Sequence, residues 1–449
     1  MKVSVRGEQE VIKVSLAISI AVSTYIYLLI GDSAYFSLVF SVSIFLVYFL
    51  MKPVYILNPA NMVAAFSILF FVLPFLIDRF YEIYNVPYIL PWGRLWDWQN
   101  LDRKTYGEAL GIFFILFFSF CILNQDKKAF NFPEYHVRSP LLVLIVTITF
   151  FSVLIFINQT GGLNNWIYDY KKTYLLGRQG NGALNFFNIM MGSLSVFLLG
   201  LKYRESSGLK KISTFLISIF LIAVVAYVQG LKSRLLVLFI IFWASYLFSS
   251  KFTWPKIILF SMLFIILMFF LTYVRSDGFY SSPIIFLEYT MTYFNVYPLH
   301  DLIVKTGELS WFSTTHQLLA KPAEILGFPK LDEFDLNVML TKEYFPNDWA
   351  RMKATQQWPL ITDLRFNYFG FWGGWFPLLL YVGFLVYLYK MAKGGSVAFL
   401  LIFVLEFVRL FSVLRGTLIP WQIFVYVPMY IFSYLVVKSA VRVRKYKED

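Results

Sequence analysis

Residues 212–250 read ISTFLISIFLIAVVAYVQGLKSRLLVLFIIFWASYLFSS, two apolar runs joined by a short polar turn. Each run, 212–230 and 235–250, is about long enough to cross the hydrocarbon core of a bilayer as a helix. Because the same alternation of apolar run and polar break recurs along the chain, the sequence predicts an all-α polytopic integral membrane protein.

The composition excludes a soluble globular protein. Of the 449 residues, 59% are hydrophobic and only 14% are charged, and the mean hydropathy is +0.66. Length and hydropathy together predict twelve spans. They are 14–30, 34–51, 60–77, 107–123, 140–158, 183–201, 212–230, 235–250, 256–274, 366–389, 396–413 and 420–437.

The basic residues predict the orientation of these spans. An even number of spans puts both termini on one side, and the basic segments 125–139, 202–211, 249–256 and 438–449 all fall on that side. By the positive-inside rule this side is the cytoplasm. Topology therefore accounts for the net charge of +13, and we expect no nucleic-acid partner.

The chain divides into three parts. Residues 1–274 form a membrane domain with spans one to nine, and residues 366–449 carry spans ten to twelve and a basic tail. Between them, residues 275–365 are too many for a linker and too rich in Trp, Leu and Phe to be disordered. We expect this loop to fold as a helical lid on the outer face. Its segments HDLIVKTGE and STTHQLLAKPAEILG have helical spacing of apolar residues.

Several cations lie on the outer side, where the positive-inside rule disfavours them. Lys232 and Arg234 occupy the short hairpin between spans seven and eight, and Arg275 opens the long loop. Three further cations close that loop or lie in and after span eleven: Arg365, Arg409 and Arg415. Because a planar guanidinium matches phosphate oxygens in bidentate geometry, the set predicts a pyrophosphate or polyphosphate site at the outer membrane boundary.

Each of these cations also has a simpler interpretation. Lys232 and Arg234 could extend to phospholipid head groups. Arg409 could pair with Glu406 one helical turn away, and Arg415 could cap the C-terminus of a helix.

Tryptophan is concentrated on the same side of the membrane. An aromatic belt would decorate both interfaces, so this one-sided distribution is suited to platforms for the apolar faces of sugar rings. The alternative is that these side chains form the core of the lid. The tryptophans are Trp92, Trp96, Trp98, Trp166, Trp311, Trp349 and Trp358 in outer loops, with Trp372, Trp375 and Trp421 near outer helix ends.

No familiar cofactor or metal motif is present in the sequence. The three histidines, His136, His300 and His316, are too dispersed to predict a metal site. We therefore expect a reaction that needs neither a metal nor a cofactor.

The candidates for a general base are the outer carboxylates. Asp363 ranks first because it lies two residues before Arg365, where the long loop returns to the membrane. It could instead favour the dipole of a helix start. The other candidates are Asp277, which could pair with Arg275, Glu288 and Glu308.

The turn QGLKSRLL, the arginine that opens the long loop, and the segment DLRFNYFG followed by Gly373 together resemble the O-antigen polymerase (Wzy) family of membrane proteins. The O-antigen ligases are similar in outline. The resemblance implies a GT-C-like fold in the bacterial inner membrane, with an active site that faces the periplasm. It implies a glycosyltransferase that polymerises undecaprenyl-pyrophosphate-linked oligosaccharide repeat units into surface polysaccharide, with the lipid pyrophosphate as leaving group. A separate chain-length regulator is the implied protein partner.

The resemblance also implies roles for individual residues. Asp363, Arg234 and Arg275 become the predicted catalytic residues, the carboxylate as base and the arginines as partners of the pyrophosphate. The residues predicted to contact pyrophosphate or glycan are Lys232, Arg365, Arg409, Arg415, Arg178, Lys172 and Tyr174. For the last three, in the segment YDYKKTYLLGRQGNG, an ordinary polar loop is the alternative.

Two other functions fit the predicted spans. An O-antigen ligase would be expected to carry a histidine near the end of the long loop, where this chain has Asp363. A flippase for the same lipid-linked units would need a cationic lumen at mid-membrane, whereas the cations here lie at the outer boundary. The sequence therefore favours the polymerase over both alternatives.

Overall fold

The computed structural model of the chain describes most of its length. The described residues are 2–32, 35–53, 55–87, 89, 102–124, 132–176, 180–230, 232–251, 262, 266, 269, 282–294, 297–306, 326–327, 336–352, 355–356, 358–368, 373–419 and 423–443.

Within these residues the fold is almost entirely helical, which confirms the prediction of an all-α membrane protein. Nine helices are long and apolar enough to cross a bilayer, and a shorter apolar helix spans Phe36–Met51. The nine are Glu10–Ile30, Pro59–Tyr84, Arg103–Leu123, Ser139–Gln159, Gly182–Glu205, Gly208–Val228, Trp375–Lys393, Val397–Leu414 and Ile423–Ala440.

Local sequence explains where several of these helices begin and deform. The side chain of Asp102 accepts a hydrogen bond from the Lys104 N–H at 2.8 Å and caps the helix that starts at Arg103. Asn58 caps the helix that starts at Pro59 in the same way. A π-helical turn, Ile68–Val72, comes just before Pro74, whose missing N–H interrupts the regular hydrogen-bond ladder.

Three predicted spans differ from the described helices. The predicted span 235–250 is divided at Trp243 into the helices Lys232–Phe242 and Ala244–Ser249. The predicted span 256–274 lies largely outside the described residues. The predicted span 366–389 begins only at Trp375, because the helix Leu360–Asn367 ends separately before it. The total of twelve spans stays a prediction.

Two of the loops that the sequence predicts on the outer side contain short helices. Two short helices, Gly162–Tyr168 and Tyr170–Leu176, lie between long ones. In the long loop the helices are Pro283–Phe294, Tyr297–Thr306, Leu336–Tyr344, Pro346–Met352 and Leu360–Asn367. The helical prediction is thus confirmed for HDLIVKT, whereas STTHQLLAKPAEILG lies outside the described residues.

Contacts between residues divide the chain into two compact units. The first unit comprises Met1–Lys127, Trp254–Val386 and Arg409–Ile423, and the second comprises Lys128–Thr253, Tyr387–Val408 and Phe424–Asp449.

The core of the first unit is aromatic. Phe71 packs against Phe113 with ring centroids 5.0 Å apart and against Tyr297 of the long loop at 4.8 Å. A separate apolar cluster lies within the long loop, and fully buried Trp358 is at its centre. For Trp358 the structure therefore agrees with the interpretation of the tryptophans as core of the loop.

The second unit is a bundle in which small residues let the helices approach closely. A Cβ at Gly200 would clash with the backbone carbonyl of Phe242, and a Cβ at Gly192 would lie 2.7 Å from the Val225 side chain. One end of this bundle carries a feature that the sequence did not predict. The strands Tyr135–Val137 and Val441–Val443 pair in antiparallel register, with His136 opposite Arg442.

Candidate functional site

In the first unit, Asp363 lies in the first turn of the short helix Leu360–Asn367 and is almost completely buried. Its Oδ1 accepts a hydrogen bond from Asn367 Nδ2 at 2.6 Å, and its Oδ2 accepts one from the backbone N–H of Leu418 at 2.7 Å. The predicted base therefore also fixes the turn that follows the helix Val397–Leu414. The helix-start interpretation is compatible with this geometry as well.

Arg409 binds the same turn through the backbone carbonyl of Leu418. Its Nη1 donates a hydrogen bond to the Leu418 carbonyl at 3.2 Å, and its guanidinium lies over the ring of Tyr381, 5.1 Å from the centroid. Asp363 and Arg409 thus bind the N–H and the C=O of one residue. Glu406, proposed as an alternative partner of Arg409, accepts a hydrogen bond from the Tyr430 hydroxyl at 2.6 Å.

Arg365 forms an ion pair with Glu108 on the helix Arg103–Leu123. Both side chains are largely removed from solvent, with 17% and 7% of their surfaces exposed. Arg415, the first residue after the helix Val397–Leu414, is also buried. In this part of the first unit, three buried or half-buried arginines therefore lie with two carboxylates, Asp363 and Glu108.

Buried polar atoms accompany this group of charges. His300 is fully buried and its Nδ1 shares a 2.8 Å hydrogen bond with Thr362 Oγ1, while its Nε2 has no hydrogen-bond partner among the described residues. Asn367 Oδ1 also lacks such a partner within the described part of the chain. Buried polar groups without partners are uncommon in folded proteins and are typical of places that hold water or a ligand.

The ionisation of two of these groups is shifted by their surroundings. Burial, reinforced by the positive charge of Arg365, lowers the pKa of His300 to about 3, so the imidazole is neutral at physiological pH. Burial and the negative charge of Asp363 raise the pKa of Tyr368, and the positive charge of Arg409 offsets part of this rise.

In the second unit, Arg234 has only neutral partners among the described residues. Its Nε donates to Gln229 Oε1 at 2.6 Å, and its Nη2 donates to the Ile189 carbonyl at 2.9 Å and to Ser193 Oγ at 2.7 Å. Its Nη1 makes no hydrogen bond within the described residues. No carboxylate in the described part of the chain balances this guanidinium.

Other polar side chains on the elements that hold Arg234 also lack partners. Gln229 Nε2 and both polar atoms of Asn188 are buried without a hydrogen bond in the described part of the chain. A cationic side chain with two unsatisfied amides on the elements around it is an arrangement suited to an anionic or strongly polar ligand.

Tyr174 packs against the turn that leads to Arg234. A Cβ at Gly230, whose φ is +101°, would lie 2.8 Å from Tyr174 Cζ, so glycine permits this close contact. The ring of Tyr174 stacks on Tyr170 with centroids 5.9 Å apart and an interplanar angle of 15°. Lys172, in the same short helix, is exposed.

Trp166 packs against Tyr170, with ring centroids 5.8 Å apart. It is fully buried, and its Nε1 donates to Thr160 Oγ1 at 2.8 Å. Trp166, like Trp358 in the first unit, is therefore a core residue, as the alternative interpretation of the tryptophans predicts.

The remaining predicted residues have less structural description. Arg178 and Arg275 lie outside the described residues, as do the carboxylates Asp277 and Glu308. Lys232 is the first residue of the helix Lys232–Phe242, and its side chain is not among those that the structure describes. Glu288 is buried and accepts hydrogen bonds from the Tyr81 hydroxyl at 3.1 Å and from the Ile89 N–H at 3.0 Å, so it connects the helix Pro283–Phe294 to the segment around residues 81–89. Among the described residues no three His, Cys, Asp or Glu side chains are grouped as metal ligands.

Sequence reasoning missed Glu108, His300, Thr362 and Asn367. Two signals could have found two of them. Glu108 is a carboxylate inside an otherwise apolar span, which is uncommon without a function or a partner. Asn367 follows Asp363 by one helical turn within the segment DLRFNYFG.

Comparison with known proteins adds no family to this description. No family model, no curated protein and no solved structure matches the chain.

Proposed function

We propose that this chain is a membrane-embedded glycosyltransferase that polymerises undecaprenyl-pyrophosphate-linked oligosaccharide repeat units into O-antigen or a similar surface polysaccharide. The lipid pyrophosphate is the leaving group, and the reaction needs no metal and no cofactor. The single observation that supports this proposal best is Arg234, a guanidinium that has only neutral partners in the described part of the chain.

A charge in such a place needs a compensating anion. Removing a guanidinium from water costs several kcal/mol unless an opposite charge or a full set of hydrogen bonds replaces the water. Three neutral acceptors leave Nη1 of Arg234 unsatisfied within the described residues, and a phosphate oxygen is the acceptor that best matches a guanidinium. A lipid-linked pyrophosphate presents such oxygens at head-group depth.

The stacked tyrosines extend this proposal to the glycan. Tyr170 and Tyr174 present flat rings with polar edges beside the turn that precedes Arg234, and sugar rings have apolar faces that suit such rings. Lys172 and Arg178, from the same segment, are proposed to contact the glycan or a second pyrophosphate. A polymerase handles two lipid-linked substrates and therefore two pyrophosphates.

Asp363 is the proposed base. The oxygen of an acceptor hydroxyl attacks the anomeric carbon of the donor glycan, and the bond from that carbon to the pyrophosphate oxygen breaks. The proton passes to the Asp363 carboxylate and the electron pair passes to the leaving pyrophosphate. Arginines neutralise the charge that develops there. The arginines proposed for this role are Arg275, Arg365, Arg409 and Arg415. Arg234 and Lys232 are proposed to bind a lipid pyrophosphate.

The proposed setting follows from the same reaction. Lipid-linked repeat units are proposed to be joined at the periplasmic face of the bacterial inner membrane, with both termini of the chain in the cytoplasm. Membrane lipids surround the protein, and a chain-length regulator in the same membrane is the proposed protein partner.

Replacement of Arg234 in a bacterium that depends on this chain tests the proposal. Arg234→Ala and Arg234→Lys are compared with Arg79→Ala, since Arg79 is a partly exposed arginine that forms an ion pair with Glu82 and is not one of the proposed site residues. Membrane amounts are matched by immunoblot, and surface polysaccharide is separated on a gel. We expect Arg234→Ala to lower the rate of polymerisation by about 10²–10³-fold, as the loss of one donor that stabilises a transition state does. The ladder of long chains should therefore disappear from the gel. Arg234→Lys should retain part of the activity, and Arg79→Ala should retain all of it.

The pattern of loss distinguishes the other functions. Single repeat units that still reach their final acceptor indicate that polymerisation alone has failed, as proposed. Loss of all glycan from the acceptor, with polymer still on the lipid, indicates a ligase. Repeat units trapped on the inner leaflet indicate a flippase, and a normal ladder in Arg234→Ala contradicts the proposed role of Arg234.

A further inference from the structure

An open cleft of about 560 Å³ lies at the end of the second unit where its strand pair sits. Its lining residues come from strand Tyr135–Val137, the start of the helix Ser139–Gln159 and strand Val441–Val443: His136, Arg138, Ser139, Pro140, Leu141 and Arg442. The cleft is therefore bordered by cationic side chains and by the first turn of a membrane-spanning helix.

The two arginines of the cleft are not neutralised by the described protein. Neither Arg138 nor Arg442 forms an ion pair or side-chain hydrogen bond with a described residue, and Arg138 Nε is buried without a partner. His136 differs, because it pairs with Glu205, which also interacts with Lys202 at 3.2 Å and accepts a hydrogen bond from the Val137 N–H at 3.1 Å. The Glu205 carboxylate is thus already bound by His136, Lys202 and the Val137 N–H.

The helix start adds to the positive potential of the cleft. The residue before the helix Ser139–Gln159 is Arg138, and no side chain caps the N–H groups of the first turn. These groups carry the partial positive charge of the helix N-terminus. The cleft thus combines two guanidiniums that have no ion-pair partner among the described residues with backbone donors, which is the set of groups that binds phosphate oxygens.

The apolar surface beyond the cleft indicates what carries the phosphate. The helix that starts at Ser139 leaves Val143 and Leu144 63% and 53% exposed, and Phe151 two turns later is 58% exposed. Exposed apolar side chains on a helix long enough to cross a bilayer suit contact with acyl chains, and the cleft lies at the start of this helix. We propose that this cleft binds the phosphate head group of an anionic phospholipid whose acyl chains lie along the helix Ser139–Gln159.

Native mass spectrometry of the purified full-length protein tests the proposal. The protein in detergent is titrated with dioleoyl phosphatidylglycerol and, separately, with dioleoyl phosphatidylcholine. The variant is Arg138→Gln/Arg442→Gln, which removes both charges and keeps polar side chains of similar length. The matched control is Lys210→Gln, because Lys210 is an exposed cation near the same end of the second unit but outside the cleft.

We expect the wild-type protein to bind phosphatidylglycerol more tightly than phosphatidylcholine. The double variant should lose about thirtyfold in affinity for phosphatidylglycerol, since each basic residue near an anionic lipid contributes about a fivefold factor. Lys210→Gln should bind as the wild type does. Inorganic phosphate in large excess should leave the phosphatidylglycerol adduct in place.

Three results would overturn the proposal. They are equal affinity of the double variant and the wild type, equal binding of the two lipids, and displacement of the lipid by inorganic phosphate, which would identify a soluble anion as the ligand. If the double variant aggregates on size-exclusion chromatography, Arg442→Gln alone decides the question. Arg442 is exposed on its strand and forms no ion pair or side-chain hydrogen bond with a described residue, and its loss should cost about fivefold in affinity.

Discussion

The carboxylate of Asp363 accepts a hydrogen bond from the backbone N–H of Leu418, at 2.7 Å and across 55 positions of sequence. Because Arg409 binds the carbonyl of the same residue, the turn after the helix Val397–Leu414 is fixed by one acidic and one basic side chain. A residue proposed as a base therefore also has a structural task, and the two tasks require separate tests.

Two substitutions of Asp363 separate these tasks. Asp363→Ala leaves the buried Leu418 N–H without its acceptor, which should lower the stability by about 1–3 kcal/mol. In Asp363→Asn the new amide oxygen can still accept from Leu418, and its NH₂ can donate to Asn367 once the Asn367 amide turns over. We therefore expect near wild-type thermal unfolding but no polysaccharide ladder for Asp363→Asn. A full ladder in this variant would assign Asp363 a purely structural role.

The ion pair between Glu108 and Arg365 should contribute strongly to stability. Removing one partner of a buried pair leaves an uncompensated charge, so Glu108→Gln should cost about 3–5 kcal/mol. Glu82→Gln is the control, because the pair Arg79–Glu82 is exposed and should contribute less than about 1 kcal/mol. Unfolding in detergent, followed by intrinsic fluorescence, measures both. Equal effects of the two variants would show that Glu108 is not the essential partner of Arg365.

The stability of the first unit should fall as the solution becomes acidic. His300 has a pKa lowered to about 3 in the folded protein, against about 6.5 in an unfolded chain. Below about pH 6.5 the unfolded chain takes up a proton that the folded protein does not, so stability is lost as the pH falls toward 3, by about 1.4 kcal/mol per unit. Unfolding curves at about pH 7.5, 6.5 and 5.5 should show a shallower dependence of stability on pH in His300→Gln than in the wild type. Identical slopes in the two proteins would contradict this assignment.

The contact of Gly200 with Phe242 should be intolerant of a single methyl group. Gly200→Ala places a Cβ against the backbone carbonyl of Phe242, and such overpacking should destabilise the second unit by about 1–3 kcal/mol. Gly182→Ala, in the same helix, is the matched control, since a Cβ there would have no atom within 4 Å. Thermal unfolding of the two variants measures the difference. Equal unfolding temperatures would mean that the two helices can separate at no cost.

Hydropathy predicted an all-α membrane protein correctly, because the bilayer sets the length of spanning helices and excludes polar residues from them. It could not predict the division at Trp243 or the late start at Trp375, since both depend on local geometry within an apolar stretch. Nor could hydropathy predict which residues form pairs in the candidate site. Arg365 and Glu108 are separated by 257 positions, and only tertiary structure can choose one carboxylate for one arginine over such a distance.

Arg234 is a residue that the sequence alone singled out, although only the structure shows its partners. Its place in a short polar turn that we predict on the outer side led to the expectation of an anionic ligand, because the positive-inside rule disfavours a cation on that side. The structure adds that Gln229, Ser193 and the Ile189 carbonyl receive its hydrogen bonds. These partners are neutral, and no sequence pattern distinguishes them from other polar residues of the same helices.

The antiparallel pairing of Tyr135–Val137 with Val441–Val443 has a consequence for biosynthesis. A ribosome completes the first of these strands well before the second, because the helices from Ser139–Gln159 to Ile423–Ala440 lie between them in the sequence. The first strand must therefore wait, without its partner, while all the intervening helices are inserted into the membrane. The second unit can close only after the helix Ile423–Ala440 and the strand that follows it have left the ribosome. Premature termination anywhere before Val441 should consequently yield a chain whose early helices are inserted but whose second unit is incomplete.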